Sequence, residues 1–142
     1  MKKRLLLAPL LIGLLSSCSS IKTVNFKPFT EVVATNYNQN KNYVKANEFL
    51  VEIFNNSKSI IQFSDKEAGI VKGKYIMTGG EAIITIKVKD SLSKITIDTG
   101  DLTYTRSSKD DDANAYSRFK SQINGMAKSF VIYMKNNYDD DW

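Results

Sequence analysis

The chain has 142 residues, 42% of them hydrophobic and 25% charged, with a formal charge of +5 at pH 7. A single cysteine and no histidine exclude an internal disulfide and a cysteine-ligated zinc site, and they leave no histidine for catalysis or metal binding. Lys2, Lys3 and Arg4 lie in a segment read below as removable, and losing them takes the charge from +5 to +2, too weak a balance to argue for a nucleic-acid partner.

Lys2, Lys3 and Arg4 form a positive start. Residues 5–15 follow as an almost wholly apolar run, broken by Pro9 and Gly13. A run of about eleven residues suits an export signal, whereas a spanning helix needs about twenty. Leu15-Ser16-Ser17-Cys18 then matches the bacterial lipobox: an aliphatic residue, two small residues and cysteine. Residues 1–17 are therefore expected to be a lipoprotein signal peptide. Cys18 is the expected lipidation site, with a diacylglycerol on sulfur and an acyl chain on nitrogen. Each buried methylene contributes about 0.8 kcal/mol, so two or three chains would anchor the protein to a membrane effectively permanently. Ser19 follows the cysteine where an aspartate would favour inner-membrane retention in enterobacteria, which leans the expected location in the cell envelope toward the outer membrane. Of the 142 residues, 17 belong to the signal, and the remaining 125 suffice for one domain with a real core.

Residues 18–28 read as the lipidated cysteine and a polar tether, although Phe26 is more apolar than a linker needs. A domain is expected over 29–137, and an acidic tail over 138–142. Within the domain, residues 29–35 read as a first strand, with β-forming Val32 and Val33, before an asparagine-rich loop. A helix is predicted over 42–55. Ala46, Phe49, Leu50, Ile53 and Phe54 form one stripe, Lys45, Glu48 and Glu52 lie off it, Asn42 is the candidate N-cap, and Asn55-Asn56 suits the stop. Strands follow at 59–63 and 70–77, joined by a charged turn that Gly69 closes. Gly73 suggests a bulge or a close helix contact. Residues 82–89 alternate: Ala82, Ile84, Ile86 and Val88 inward, Thr85, Lys87 and Lys89 outward. The next strand is predicted at 94–98, with Gly100 interrupting it before 102–105. A last helix from about Ala113 carries the stripe Tyr116, Phe119, Ile123, Met126, Ala127, Phe130, Val131 and Met134, and Gly125 suggests close packing on the sheet. The order is strand, helix, four strands and long helix. It predicts an α+β two-layer domain: an antiparallel sheet of about five strands with two helices on one face.

Ala46-Asn47-Glu48-Phe49-Leu50, Phe54, Ser59-Ile60-Ile61-Gln62-Phe63 and Asp65-Lys66-Glu67-Ala68-Gly69-Ile70 with Gly73 resemble a domain of unknown function found in secreted and lipidated proteins of Bacteroidota. The resemblance runs roughly from Thr30 to Lys135. It implies a TBP-like fold and no activity, and it brings no catalytic residue and no DNA binding.

Each motif that could carry chemistry has an ordinary reading beside it. Ser91-Leu92-Ser93-Lys94 spells the S-x-x-K of penicillin-binding enzymes, but it falls in a hairpin and lacks the partner motifs. Asp110-Asp111-Asp112 and Asp139-Asp140-Asp141 lack the spacing of a calcium loop; the first suits a helix N-terminus and the second a solvated tail. Asp65 and Glu67 flank Lys66 as ordinary turn charges. Asp90-Ser91-Leu92 resembles a short O-glycosylation acceptor of Bacteroidota, which makes Ser91 a candidate modification site. No catalytic residue, metal ligand or cofactor site is expected. The outward face carrying Lys72, Lys74, Thr85, Lys87 and Thr96 is the candidate partner face, with Lys72, Lys74 and Lys87 as its cations. Two functions remain in view: a non-enzymatic envelope lipoprotein that binds an envelope protein or supports an assembly, and a hydrolase acting on cell-wall or glycan material through carboxylates. A pocket with a buried carboxylate would favour the second.

Overall fold

The alternation in the middle of the chain decides the architecture. The computed structural model describes residues 19–54 and 60–136. Strands β3 (Ile60–Asp65), β4 (Ile70–Met77), β5 (Gly80–Lys89) and β6 (Leu92–Asp98) form an antiparallel meander. Strand β2 (Phe29–Ala34) adds to its far side, so the five-stranded order is β2-β6-β5-β4-β3. Ala82, Ile84, Ile86 and Val88 on β5 are buried, as are Ile95 and Ile97 on β6 and Val71 and Met77 on β4. These residues share one face by register. The alternation predicted for β4 and β5 is thus observed, and the α+β two-layer class holds.

Helices α1 (Gln39–Ile53) and α2 (Asp110–Lys135) cover that apolar face. Their stripes supply Ala46, Phe49 and Leu50, and Phe119, Ile123, Phe130 and Met134, all buried. Phe49 meets Phe130 edge-on, with ring centroids 5.3 Å apart, where the two helices touch each other and the sheet. Full burial of such side chains contributes about 1.5–3 kcal/mol each, so this seam is the core.

Several details depart from the expectation. The helix N-cap is Asn38, whose side chain accepts from Lys41 N at 2.9 Å, while Asp90 Oδ1 accepts Gln39 N at 2.7 Å. Asn42 lies inside the helix and fully buried. It accepts from Thr35 Oγ1 at 2.9 Å and donates to Lys89 O at 2.9 Å and Tyr37 O at 3.3 Å, so a polar side chain there knots three segments instead of capping. Lys45, placed off the stripe, is only 5% exposed. On α2 the buried residue is Ala115, and Tyr116 is 48% exposed, stacked on Phe26 at 5.0 Å. A Cβ at Gly125 would meet nothing within 4 Å, so that glycine marks no close packing. The irregularity expected at Gly73 lies beside it on β3, where the register shifts between Ile61 and Phe63. The predicted stop at Asn55-Asn56 lies outside the described residues.

The largest departure is at the start. Residues read as tether form strand β1 (Ser20–Asn25), which pairs antiparallel with β7 (Asp101–Arg106) from Ser20 opposite Arg106 to Asn25 opposite Asp101. Gly100, at φ +52°, breaks β7 away from β6, as expected. Instead of prolonging the main sheet, the freed strand turns over the β4–β5 turn. Thr103 N and Oγ1 both donate to Gly79 O, at 2.8 and 3.0 Å. Gly79 is at φ +86°, and a Cβ there would lie 2.4 Å from Thr103 O and 2.8 Å from the Phe119 ring, so only glycine fits. Leu102 is buried beneath this ribbon. No helix among the described residues is long and apolar enough to cross a membrane.

Candidate binding face

Both helices lie on one side, so the opposite side of the five-stranded sheet is uncovered. Alternation assigns its residues. One cross-strand row runs Thr30, Thr96, Thr85, Lys72 and Phe63; the next runs Val32, Lys94, Lys87, Ile70 and Asp65. Lys74 follows on the same face, opposite Ile83. The register therefore brings Lys72, Lys74 and Lys87 together on the open face. Lys74 Nζ is paired with Glu81 at 2.8 Å. Lys87 stands directly opposite Lys94, an arrangement that costs free energy unless an anion lies nearby. Apolar side chains are interleaved: Val32 is 54% and Phe63 48% exposed. A shallow concavity of about 430 Å³ at one end is lined in part by Val32, Lys87, Lys89, Leu92 and Lys94, and no carboxylate lines it. Cations around a small apolar patch suit an acidic partner with some apolar surface.

Lys89 and Lys94 were not grouped with this site from sequence. The signal was present: Lys89 shares the parity of Lys87, and Lys94 alternates with the inward Ile95.

The other candidates are engaged in local structure. Ser91 sits exposed in the two-residue β5–β6 connection at φ +60°, not at the start of a helix, so S-x-x-K geometry is absent. Its exposure keeps the Ser91 hydroxyl accessible for modification. Asp65 Oδ1 accepts Ala68 N at 2.9 Å within its turn. Asp111 Oδ2 accepts Ser107 N and Ser108 N at 2.6 and 2.7 Å, and these bonds hold its carboxyl below the ordinary carboxylate range. Asp112 Oδ1 accepts the Tyr104 hydroxyl at 2.5 Å and lies 3.3 Å from Arg106 Nε. That hydrogen bond, followed by desolvation and the charge of Asp112, raises the Tyr104 phenol. The three aspartates occupy the first turn of α2, where negative charge is favoured. Among the described residues no group of three or more metal-ligating side chains is placed to hold a cation. Cys18 and Asp139–Asp141 lie outside the described residues.

A cleft of about 610 Å³ is lined by Val44, Lys45, Glu48, Glu52, Lys66 and Tyr133 among others. Glu48 and Glu52, one turn apart on α1, are both exposed. Lys45 passes between the Tyr37 and Tyr133 rings, 5.0 and 5.4 Å from their centroids, and donates to Asn136 O at 2.7 Å. It therefore satisfies the carboxyl end of α2. The buried polar side chains among the described residues are Thr35, Asn42, Lys45, Ser93 and Thr99; none is a carboxylate.

No protein-family model matches the sequence, and no curated protein does. Among solved structures, the chain is similar to a crystal structure of a DUF4468 family protein from Bacteroides ovatus, at 18% identity and a TM-score of 0.39, over 50% of this chain and 52% of that one. The matched region thus spans about half of that chain, and likeness at this level transfers neither fold nor activity.

Proposed function

We propose that this chain is a bacterial cell-envelope lipoprotein, anchored through Cys18, whose domain is a non-enzymatic binding module. On this reading the open sheet face takes an acidic envelope protein. The observation that carries it is the helix-free face bearing Lys72, Lys74, Lys87 and Lys94 around exposed Val32 and Phe63. The lipobox supports the anchor, and Ser19 after Cys18 favours the outer membrane. The TBP-like topology and Bacteroidota origin implied by the resemblance belong to the same reading, as does glycosylation at Ser91.

Anchor and module are separately testable. Mass spectrometry of membrane-purified protein should show an N-terminal Cys18 carrying a lipid-sized mass excess; an intact Met1 or an unmodified thiol ends the lipoprotein reading. A Lys72→Glu, Lys87→Glu variant should lose an envelope partner that wild type and Lys120→Glu retain. Equal retention by all three removes the sheet face as the binding surface.

A further inference from the structure

We infer that the free edge of β2 takes an extended segment of a partner protein as a sixth strand, one that sets a basic residue, between two apolar ones, against Glu31. The inference goes beyond the reading of the open sheet face and does not depend on it.

β2 ends the five-stranded order, and among the described residues its one strand partner is β6. Alternate residues of an edge strand point their N–H and C=O groups away from the sheet. Among the described residues no backbone hydrogen bond reaches that side of Phe29–Ala34. Such an edge offers a ladder to an extended backbone, and side-chain pockets decide which one it takes.

A groove of about 420 Å³ runs beside this edge. Phe29 and Glu31 form its sheet wall, and Ala127, Val131 and Ile132 form its helix wall, with Lys128 among the lining residues. Phe29 and Glu31 share the groove with α2 residues up to Ile132, and Ala34 shares the next concavity with Met134 and Lys135. Strand and helix therefore run the same way, and the groove lies along the strand as an added strand would. Ile132 is 60% exposed, an apolar side chain left uncovered beside an unpaired edge.

Parity assigns the contacts. Phe29, Glu31 and Val33 turn inward with Ile97, Ile95 and Ser93 of β6. An added strand lies about 4.8 Å further out, and its inward residues stand opposite these three at about 4.5–5.5 Å. Its flanking residues meet Phe29 and Val33, which calls for apolar side chains. Its central one meets Glu31, which is half-buried and, among the described residues, forms no hydrogen bond or ion pair. A carboxylate turned inward on an edge disfavours an acidic or apolar neighbour and favours a lysine or arginine. Lys128 is exposed and keeps its ammonium in water, so the direct cross-strand neighbour is Glu31. A second copy of this chain fits worse. Pairing β2 with its own counterpart sets Glu31 against Phe29, Glu31 or Val33, and β3, the other free edge, contains no lysine or arginine.

The probe is a dye-labelled peptide, Thr-Val-Thr-Lys-Thr-Val-Thr, read by fluorescence polarisation against the full membrane-purified protein. Its palindromic sequence suits either strand direction. Binding should saturate, and it should weaken roughly fivefold or more when glutamate replaces the central lysine. N-methylation of one alternate set of peptide amides should abolish binding, and methylation of the other set should leave it intact, because one edge of the peptide faces β2. Glu31→Lys should reverse the preference toward the glutamate peptide, a gain that an unfolded protein cannot show. No saturable binding to wild type, a wild-type preference for the glutamate peptide, or equal effects of the two methylated sets overturns the inference. These measurements use wild type alone, so they decide the matter even where Glu31→Lys fails to fold. The Lys72→Glu, Lys87→Glu variant should keep the wild-type preference for the lysine peptide, so the edge and the open face fail separately.

Discussion

The two faces of the five-stranded sheet are built from the same strands and differ by one residue of register. The face under the helices is closed: Ile84, Ile86, Ile95 and Ile97 are all buried beneath Phe49, Phe119 and Phe130. The other carries lysines and threonines with half-exposed Val32 and Phe63. An aromatic residue occurs on both, so residue type alone does not tell core from surface; parity and helix cover do. One face accounts for stability, and the other is free of that constraint.

Substitutions that separate the faces give the sharpest contrast. Phe130→Ala should cost about 3–5 kcal/mol, a third or more of a small domain's stability, read as a drop in the urea midpoint; a wild-type melt would show that α2 does not close the sheet. Gly79→Ala should cost about 1–3 kcal/mol, because its φ of +86° and the Thr103 carbonyl and Phe119 ring leave no room for a methyl. A neutral outcome by thermal melting would mean that the β1–β7 ribbon does not pack there. Phe63→Ser, an aromatic lost from the open face, should cost less than about 1 kcal/mol. If calorimetry shows a loss equal to that of Phe130→Ala, the two faces are not distinct. Lys120→Ala, on the exposed side of α2, should change stability by less than about 0.5 kcal/mol.

The smallest effect concerns acid. Asp111 has a lowered folded pKa because Ser107 and Ser108 amides bind its carboxylate. Its contribution is therefore complete above the ordinary carboxylate value and is lost as pH falls through the lowered one. Protection of the Ser107 and Ser108 amides, taken relative to their intrinsic exchange rates at each pH, should fall in that acid window, and Asp111→Asn should remove that fall.

The inner face was legible because β5 alternates without a break and each helix repeats its apolar residues at helical spacing. The open lysines followed from the same parity. The β1–β7 ribbon was not legible: Ser20–Asn25 is mostly exposed, and its partner lies far along the chain, so neither alternation nor a nearby turn announces it. Lys45 and Asn42 escaped for a different reason. Their burial depends on where α2 ends and where Lys89 places its carbonyl, and local sequence holds neither fact. The grouping of Lys89 and Lys94 into one patch required the pairing of β5 with β6.

The central claim is that the helix-free face is the surface this protein presents to a partner. A photocrosslinking side chain at Thr96, in the middle of that face, should give adducts with a discrete envelope protein in intact cells. The same side chain at Lys120, on the exposed side of α2, should give none. Adducts from Lys120 alone, or the same adducts from both positions, would contradict the account.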